Sequence, residues 1–349
     1  VTTRLALASI AVSQPMGQQV FERELVARAG TALGDGWQVD DVRVRSLRSP
    51  VPGTVRIPAS LMIDASAGLR RAAGRLIYRG HDVVHRLDLR LPPAPEPEVL
   101  TILDLVPWRF DDEGSPPADA AATARRAAVV ICPSQFSADE VASHLGVSDP
   151  VAIHLGVSPR FFGPTPLGES ALADLGITTP FVLHAGGCTR RKNLAGLADA
   201  WPLVHSARPD ATLVLMGPTD DRRDRLFASL PGTVRTGRVD DAIVTGIMAA
   251  AAVIVVPSTY EGFGLPALEG MAAGVPVVAA ARASLPEVCG DAAYLVEPDG
   301  PGLAEGLLAA LERGPETEER CRRGRERAAT FTWEACAQAH AQLWQRTIG

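Results

Sequence analysis

Lysine is all but missing from this chain: Lys192 is the single one, and every other member of its 34 basic residues is an arginine. The two cations are not interchangeable, since the ammonium is a flexible point charge and the guanidinium a rigid planar fork. An excess of positive charge is missing too. The formal net charge of −6 argues against a nucleic-acid partner, which needs a basic footprint. Paired cysteines are absent: Cys132, Cys188, Cys289, Cys321 and Cys336 are odd in number and never spaced C-x-x-C. Free thiols are expected, not a disulfide framework or a zinc site. No apolar run reaches membrane-spanning length, and the early "LALASIAV" is too short and poorly flanked for a signal peptide. A soluble, cytoplasmic protein is expected.

What is there suits a globular chain: 46% apolar and 21% charged residues over 349 positions, enough for two domains with separate cores. Short runs rich in Val, Ile and Leu read as strands at 4–12, 37–44, 82–87, 98–105, 127–134 and 150–157. They lack in–out alternation, as strands buried on both faces should. A helix is expected over 19–30, with Gly30 as its C-terminal cap. The Pro/Gly-rich "SPRFFGPTP" (158–166) reads as an interdomain linker, and a second strand series follows at 181–187, 211–217, 233–239, 253–258, 276–280 and 293–298. Strand–helix alternation in two blocks predicts an α/β protein of two doubly wound Rossmann-like domains facing a central cleft. The expected domains are 1–160 and 161–330, with a last helix in 331–349 able to cross back to the first. A nicotinamide dehydrogenase is disfavoured because no G-x-G-x-x-G follows the first strand.

Ligands of such sheets bind beyond the carboxyl ends of the strands. After the strand 253–258 comes "TYEGFGLPALEGMAAGVPVV". Gly262 and Gly264 flank Phe263, so backbone amides there can approach a ligand with no side chain intervening. Pro266 suits the first turn of a helix over 265–273, whose N-terminus offers free amides to an anion. Glu261 precedes the loop and Glu269 lies within the helix, where an enclosed carboxylate needs donors such as ribose hydroxyls. On these residues alone, the alternative stays open that Glu261 caps the loop and Glu269 only favours an early helical turn.

E-G-F-G-L-P-A-L-E resembles the signature of the retaining glycosyltransferases of family 4, which have the GT-B architecture. "HAGGCTRRKNLAGLADAW", "TVRTGRVDD", "ARASLPEVCGDAAYLVEP" and "FTWEACAQAHAQLW" resemble further segments of that family, over roughly 181–349. The resemblance implies catalytic or donor-contacting roles by position. Lys192, with Arg191 beside it, matches the lysine at the donor diphosphate, on the turn that includes Gly187. Glu261 matches the glutamate that orients donor-sugar hydroxyls, helped by the backbone of Gly262, Phe263, Gly264 and Leu265. Glu269 matches the ribose-binding glutamate. Arg238 and Val239 match the element bordering the nucleobase, and Gly17 the glycine loop of the N-terminal domain. Lys192, Arg191 and the helix N-terminus at 264–265 would stabilise the leaving diphosphate by preorganised electrostatics, with neither metal nor cofactor required.

"TILDLVP" (101–107) departs from the family's T-I-H-D-L by placing Leu103 where a histidine approaches the sugar C6 hydroxyl. A leucine would leave that hydroxyl unpaired, so a 6-deoxy sugar such as rhamnose, or a pentose, is one donor expectation and mannose another. Asp104 is a candidate to assist the acceptor hydroxyl, with a structural strand-end carboxylate as the alternative. His85 and His184 read as packing histidines. The acidic pairs at 40–41, 111–112, 220–221 and 240–241 read as solvated turns and helix starts. Residues 42–80 hold eight arginines and one acid, Asp64. Their "LRRAAGRLIYRG" suggests peripheral contact with an anionic membrane or a lipid-phosphate acceptor. A retaining transferase is expected, moving a sugar from a nucleotide sugar to a glycan, lipid-linked or natural-product acceptor. The alternatives are a GT-B epimerase or hydrolase and a catalytically impaired sugar-nucleotide-binding protein.

Overall fold

A computed structural model describes residues 2–13, 16–95 and 97–348. The chain divides into two units, Val1–Gly156 with Thr332–Gly349, and Val157–Phe331. The division thus falls immediately before the proline-rich stretch at 158–166. The closing helix Trp333–Ile348 belongs to the first unit, where it packs on the helix Gly17–Leu33.

The first unit holds a seven-stranded sheet. Its strands are β1 (Thr3–Ile10), β2 (Trp37–Ser46), β3 (Val55–Ile57), β4 (Val83–Arg86), β5 (Glu98–Thr101), β6 (Val129–Cys132) and β7 (Val151–Ala152), ordered β3-β2-β1-β4-β5-β6-β7. Every pairing is parallel. The second unit holds β8 (Phe181–Ala185), β9 (Thr212–Met216), β10 (Thr233–Gly237), β11 (Val253–Val256), β12 (Val277–Ala280) and β13 (Tyr294–Val296), ordered β10-β9-β8-β11-β12-β13 and again all parallel. Central strands are buried throughout (Leu5 to Ala8, Phe181 to Leu183, Val253 to Val256), which is why their sequences are continuous apolar runs. In each sheet the strand order reverses once, between β1 and β4 and between β8 and β11. Those are the topological switch points at which such sheets open a crevice for ligands.

Two local expectations are corrected. The first helix runs through Gly30 to Leu33 and is capped by Gly34 at φ 74°. Phe21, Leu25, Ala29 and Leu33 are all buried on one face, so the apolar period of four carries the helix past the first glycine. Strand β3 lies where no strand was expected, because three residues between Gly53 and Pro58 give no periodic signal.

In the 42–80 segment, Arg70 is not a solvated cation. It is 1% exposed, faces Asp119 at 3.1 Å, and donates to the carbonyls of Leu61, Met62, Arg90, Leu89 and Leu91. Arg70 therefore holds the loop after β4. On the outer side of its helix, Ala67–Ile77, Leu69 and Leu76 are exposed by 61% and 76% beside the exposed Arg71, Arg75 and Arg79. No helix of the described residues is long and apolar enough to cross a membrane.

Candidate active site

Lys192 and Glu261 stand 69 positions apart, and topology brings them together. The loops after β8 and β11 leave the same edge of the sheet from neighbouring strands, at the switch point. The Thr259 amide donates to the Arg191 carbonyl at 2.8 Å, tying one loop to the other. Asn193, at φ 52°, opens the following helix Leu194–Ala207 and donates to the carbonyls of Pro257 (3.0 Å) and Pro298 (2.6 Å). The turn carrying Lys192 is thereby fixed from both sides.

The Glu261 carboxylate is the hub. Lys192 Nζ donates to Oε1 at 2.6 Å, Ser258 Oγ to the same oxygen at 2.7 Å, and Arg191 Nη1 to Oε2 at 2.9 Å. All three ionic side chains are mostly enclosed, at 8% exposure for Glu261, 12% for Lys192 and 15% for Arg191. Burial alone would raise the Glu261 carboxyl, but the Lys192 and Arg191 cations override it and hold it at about 2. Ser284 Oγ spans the loop beneath, bonding the carbonyls of Glu261 and Phe263 at 2.8 Å each.

The glycine loop is shaped by contact as much as by freedom. Gly264 sits at φ 106°, and a Cβ there would lie 2.7 Å from Leu285 Cδ2. Phe263 is buried against Phe331, and Gly262 is buried as well. The helix Leu265–Ala273 then starts with Pro266 in its first turn, over the range its sequence predicts. Glu269 is half-buried on that helix, and none of the hydrogen bonds found among the described residues reaches it. Burial pushes its carboxyl up to about 7, with the Arg160 cation drawing it partly back.

Other expected residues fall into place around this hub or away from it. Arg238 and Val239 follow β10, and the Gly217 amide beside them donates to the Gly237 carbonyl at 3.0 Å. At Gly187 a Cβ would meet open space; the crowded glycine is Gly217, where it would lie 2.1 Å from the Gly186 carbonyl oxygen. Asp220 and Asp240 cap helices, accepting from Arg222 and Ala242 amides, as solvated helix starts should. Gly17 and Asp104 lie in the first unit. Gly17 opens the helix after β1, and Asp104 Oδ1 accepts from the Val106 amide at 3.1 Å, the bond of a strand-end structural carboxylate. Leu103 is half-buried beside it. His85 is a satisfied packing residue: Trp344 Nε1 donates to its Nδ1 at 3.2 Å, and its Nε2 meets Thr101 Oγ1 at 2.8 Å. His184 is different. It lies one residue before the end of β8 with Nδ1 buried and unpaired among the described residues, and burial, then the Lys192 and Arg223 cations, push it down to about 3.

Sequence reasoning missed several parts. Ser258, three residues before Glu261, could have been found by its spacing; Ser284, 23 residues beyond it, could not. At the switch point of the first unit, Gln18 Nε2 donates to Glu22 Oε1 (2.9 Å) and Asp88 Oδ2 (3.1 Å), and Arg90 Nη2 meets Asp88 at 2.6 Å. Burial raises Glu22 to about 8, against the hydrogen bond from Gln18. That cluster brings two buried acidic side chains, an amide and a guanidinium together in one place.

Two parallel, doubly wound sheets, the second with a cationic turn and a glutamate-flanked glycine loop at its switch point, have the GT-B architecture. Comparison with known proteins bears this out. The family model "Glycosyl transferases group 1" matches residues 179–313. The chain is 37% identical over 164 residues to O-antigen chain mannosyltransferase B of Escherichia coli, covering 45% of this chain and 43% of that protein. It is 31% identical over 164 residues to the GDP-mannose-dependent alpha-(1-6)-phosphatidylinositol dimannoside mannosyltransferase of Mycobacterium tuberculosis, covering 46% and 42%. The match thus spans less than half the length of either relative. Among solved structures, sucrose-phosphate synthase from Thermosynechococcus elongatus superposes with a TM-score of 0.75 at 23% identity, over 99% of this chain and 98% of that one. Over residues 179–313 the chain is similar to the group 1 glycosyltransferases, a match that covers less than half of its length.

Proposed function

We propose that this protein is a retaining glycosyltransferase that uses a nucleotide sugar, with GDP-mannose the first donor to test. The observation that carries the reading is the pair of glutamates around one buried glycine loop, Glu261 held by Lys192 and Arg191, and Glu269 half-buried on the helix that follows, where none of the hydrogen bonds found among the described residues reaches it. Glu269 accepts from ribose hydroxyls, which supply the donors that its carboxylate lacks. Lys192, Arg191 and the amides at the start of the helix Leu265–Ala273 stabilise the charge that develops on the leaving diphosphate. Such groups act without reorganising at the moment of bond cleavage, so the protein needs no metal for this step. Glu261 positions the sugar, and the acceptor attacks the face from which the diphosphate departs.

The donor proposal rests on the mannosyltransferase relatives. Leu103 supports a 6-deoxy alternative, and GDP-mannose against GDP-rhamnose separates the two, because they differ at the C6 hydroxyl alone. The acceptor belongs to the first unit, where Gln18, Glu22, Asp88 and Arg90 present the mixed donors and acceptors that a polyol needs. The exposed Leu69 and Leu76 beside Arg71, Arg75 and Arg79 favour an acceptor at an anionic membrane surface. Low-salt co-sedimentation with anionic vesicles tests that, and no sedimentation would dismiss it.

The enzyme test uses GDP-mannose labelled with 13C at C1 and a panel of mannosyl and lipid-phosphate acceptors. Retention gives an α-linked product from the α-linked donor. A β-linked product overturns the retaining reading, and free sugar or an epimerised nucleotide with no transfer product favours the hydrolase or epimerase alternative.

A further inference from the structure

The two cations that should grip the donor's diphosphate are held by Glu261. Lys192 Nζ and Arg191 Nη1 reach its two oxygens at 2.6 and 2.9 Å, and Ser258 supplies a third donor. A carboxylate offers about four acceptor positions, so three donors nearly saturate Glu261. It is buried, and its charge is tolerated there because those cations surround it. A diphosphate entering beside Lys192 competes for the same ammonium. If it takes the cations, Glu261 is left enclosed with Ser258 as its remaining neighbour in this set. A buried carboxylate stripped of its partners is unfavourable. Sugar hydroxyls can replace the lost donors, whereas a nucleoside diphosphate without its sugar cannot.

We infer that Glu261 is a specificity-determining residue that discriminates against the bare nucleoside diphosphate: it competes with phosphate for Lys192 and Arg191 unless sugar hydroxyls satisfy it. Resting on the donor-site reading above, the inference adds a consequence for turnover. Transfer removes the sugar, Glu261 recaptures its cations, and the product diphosphate is expelled.

The test measures binding of inorganic pyrophosphate, GDP and UDP, alongside the matching nucleotide sugars, to the full chain and to Glu261→Gln. The glutamine is nearly isosteric and uncharged. It is expected to bind pyrophosphate and the nucleoside diphosphate at least about tenfold more tightly, within the usual range of coupling between neighbouring sites. The nucleotide sugar gains less, so the preference for sugar-bearing donor over product shrinks. Equal or weaker binding of pyrophosphate by the variant overturns the inference. Glu261→Asp, which withdraws the carboxylate by one methylene, provides the same test in smaller steps should the glutamine variant not fold. Lys192→Ala separates the two levels. If it abolishes diphosphate binding while Glu261→Gln does not improve it, the donor-site reading stands and this inference fails; if it leaves diphosphate binding untouched, the donor-site reading itself fails.

Discussion

Glu269 should weaken the fold that carries it. Its carboxyl rises from 4.5 to about 7 on folding because burial disfavours the charged form. Between those values the unfolded chain has released its proton and the folded chain has not. The unfolded state therefore binds fewer protons, and stability falls as pH rises through the window, with the loss complete above pH 7. A shift of that size, which already includes the opposing pull of the Arg160 cation, corresponds to about 3 kcal/mol; the partly open position reduces the expected figure to about 1–3 kcal/mol. Glu269→Gln removes the titration. Urea unfolding at pH 4.5, 6 and 8 should show the variant level with the native protein in acid and more stable by that amount at pH 8. The same variant should lose nucleotide-sugar affinity, since an amide is a poorer acceptor than a carboxylate for two ribose hydroxyls. In the native protein, that affinity should rise from pH 6 to 8 as the carboxylate forms. A variant less stable than the native protein at pH 8 would refute this reasoning, because it would mean that Glu269 already has a stabilising partner.

Lys192→Ala should lower transfer by roughly 10²–10³, the usual effect of losing one preorganised donor, while circular dichroism shows the fold intact; full activity would mean that the ammonium has no part in transfer. Gly217→Ala forces a Cβ to 2.1 Å from a backbone oxygen at φ 143°. It should cost about 1–3 kcal/mol in thermal unfolding and weaken donor binding through the displaced Gly186–Gly187 turn. In the first unit, burial and the neighbouring His340 hold His85 well below 6.5, and burial holds His340 at about 4, against the pull of the Cys336 carbonyl. Both must charge when unfolded at low pH. The stability they contribute is complete above pH 6.5 and lost as pH falls from there through 4, by about 3 kcal/mol for His340 alone. His340→Phe should flatten that acid limb, and an unchanged slope would count against the neutral pair.

Much of the frame was legible because it depends on local pattern. Buried parallel strands are continuous apolar runs, and Gly264 with Pro266 marks the start of Leu265–Ala273 without ambiguity. Gly30 misled because a glycine signals a helix end only when the apolar face ends with it, and here that face continues to Leu33. The site was less legible for a topological reason. Lys192 and Glu261 meet because β8 and β11 are neighbours, an adjacency that no spacing between residues 192 and 261 reveals. Resemblance to a family supplied it. Arg70 shows the same limit from the other side. Its helix reads as a basic surface segment, yet its partner Asp119 lies 49 positions away and turns that one arginine inward. Glu22 and Asp88 went unread because each is an ordinary surface-type residue until the fold encloses it.

The most direct test of the account is calorimetric titration of nucleotide sugars, GDP-mannose first, into the native protein, Lys192→Ala and Glu269→Gln. Saturable binding to the native protein, weakened at least about tenfold in each variant, corresponding to about 1.4 kcal/mol or more, is the predicted result. Binding that survives both substitutions, or no binding of any GDP-, UDP- or dTDP-sugar to the native protein, would contradict it.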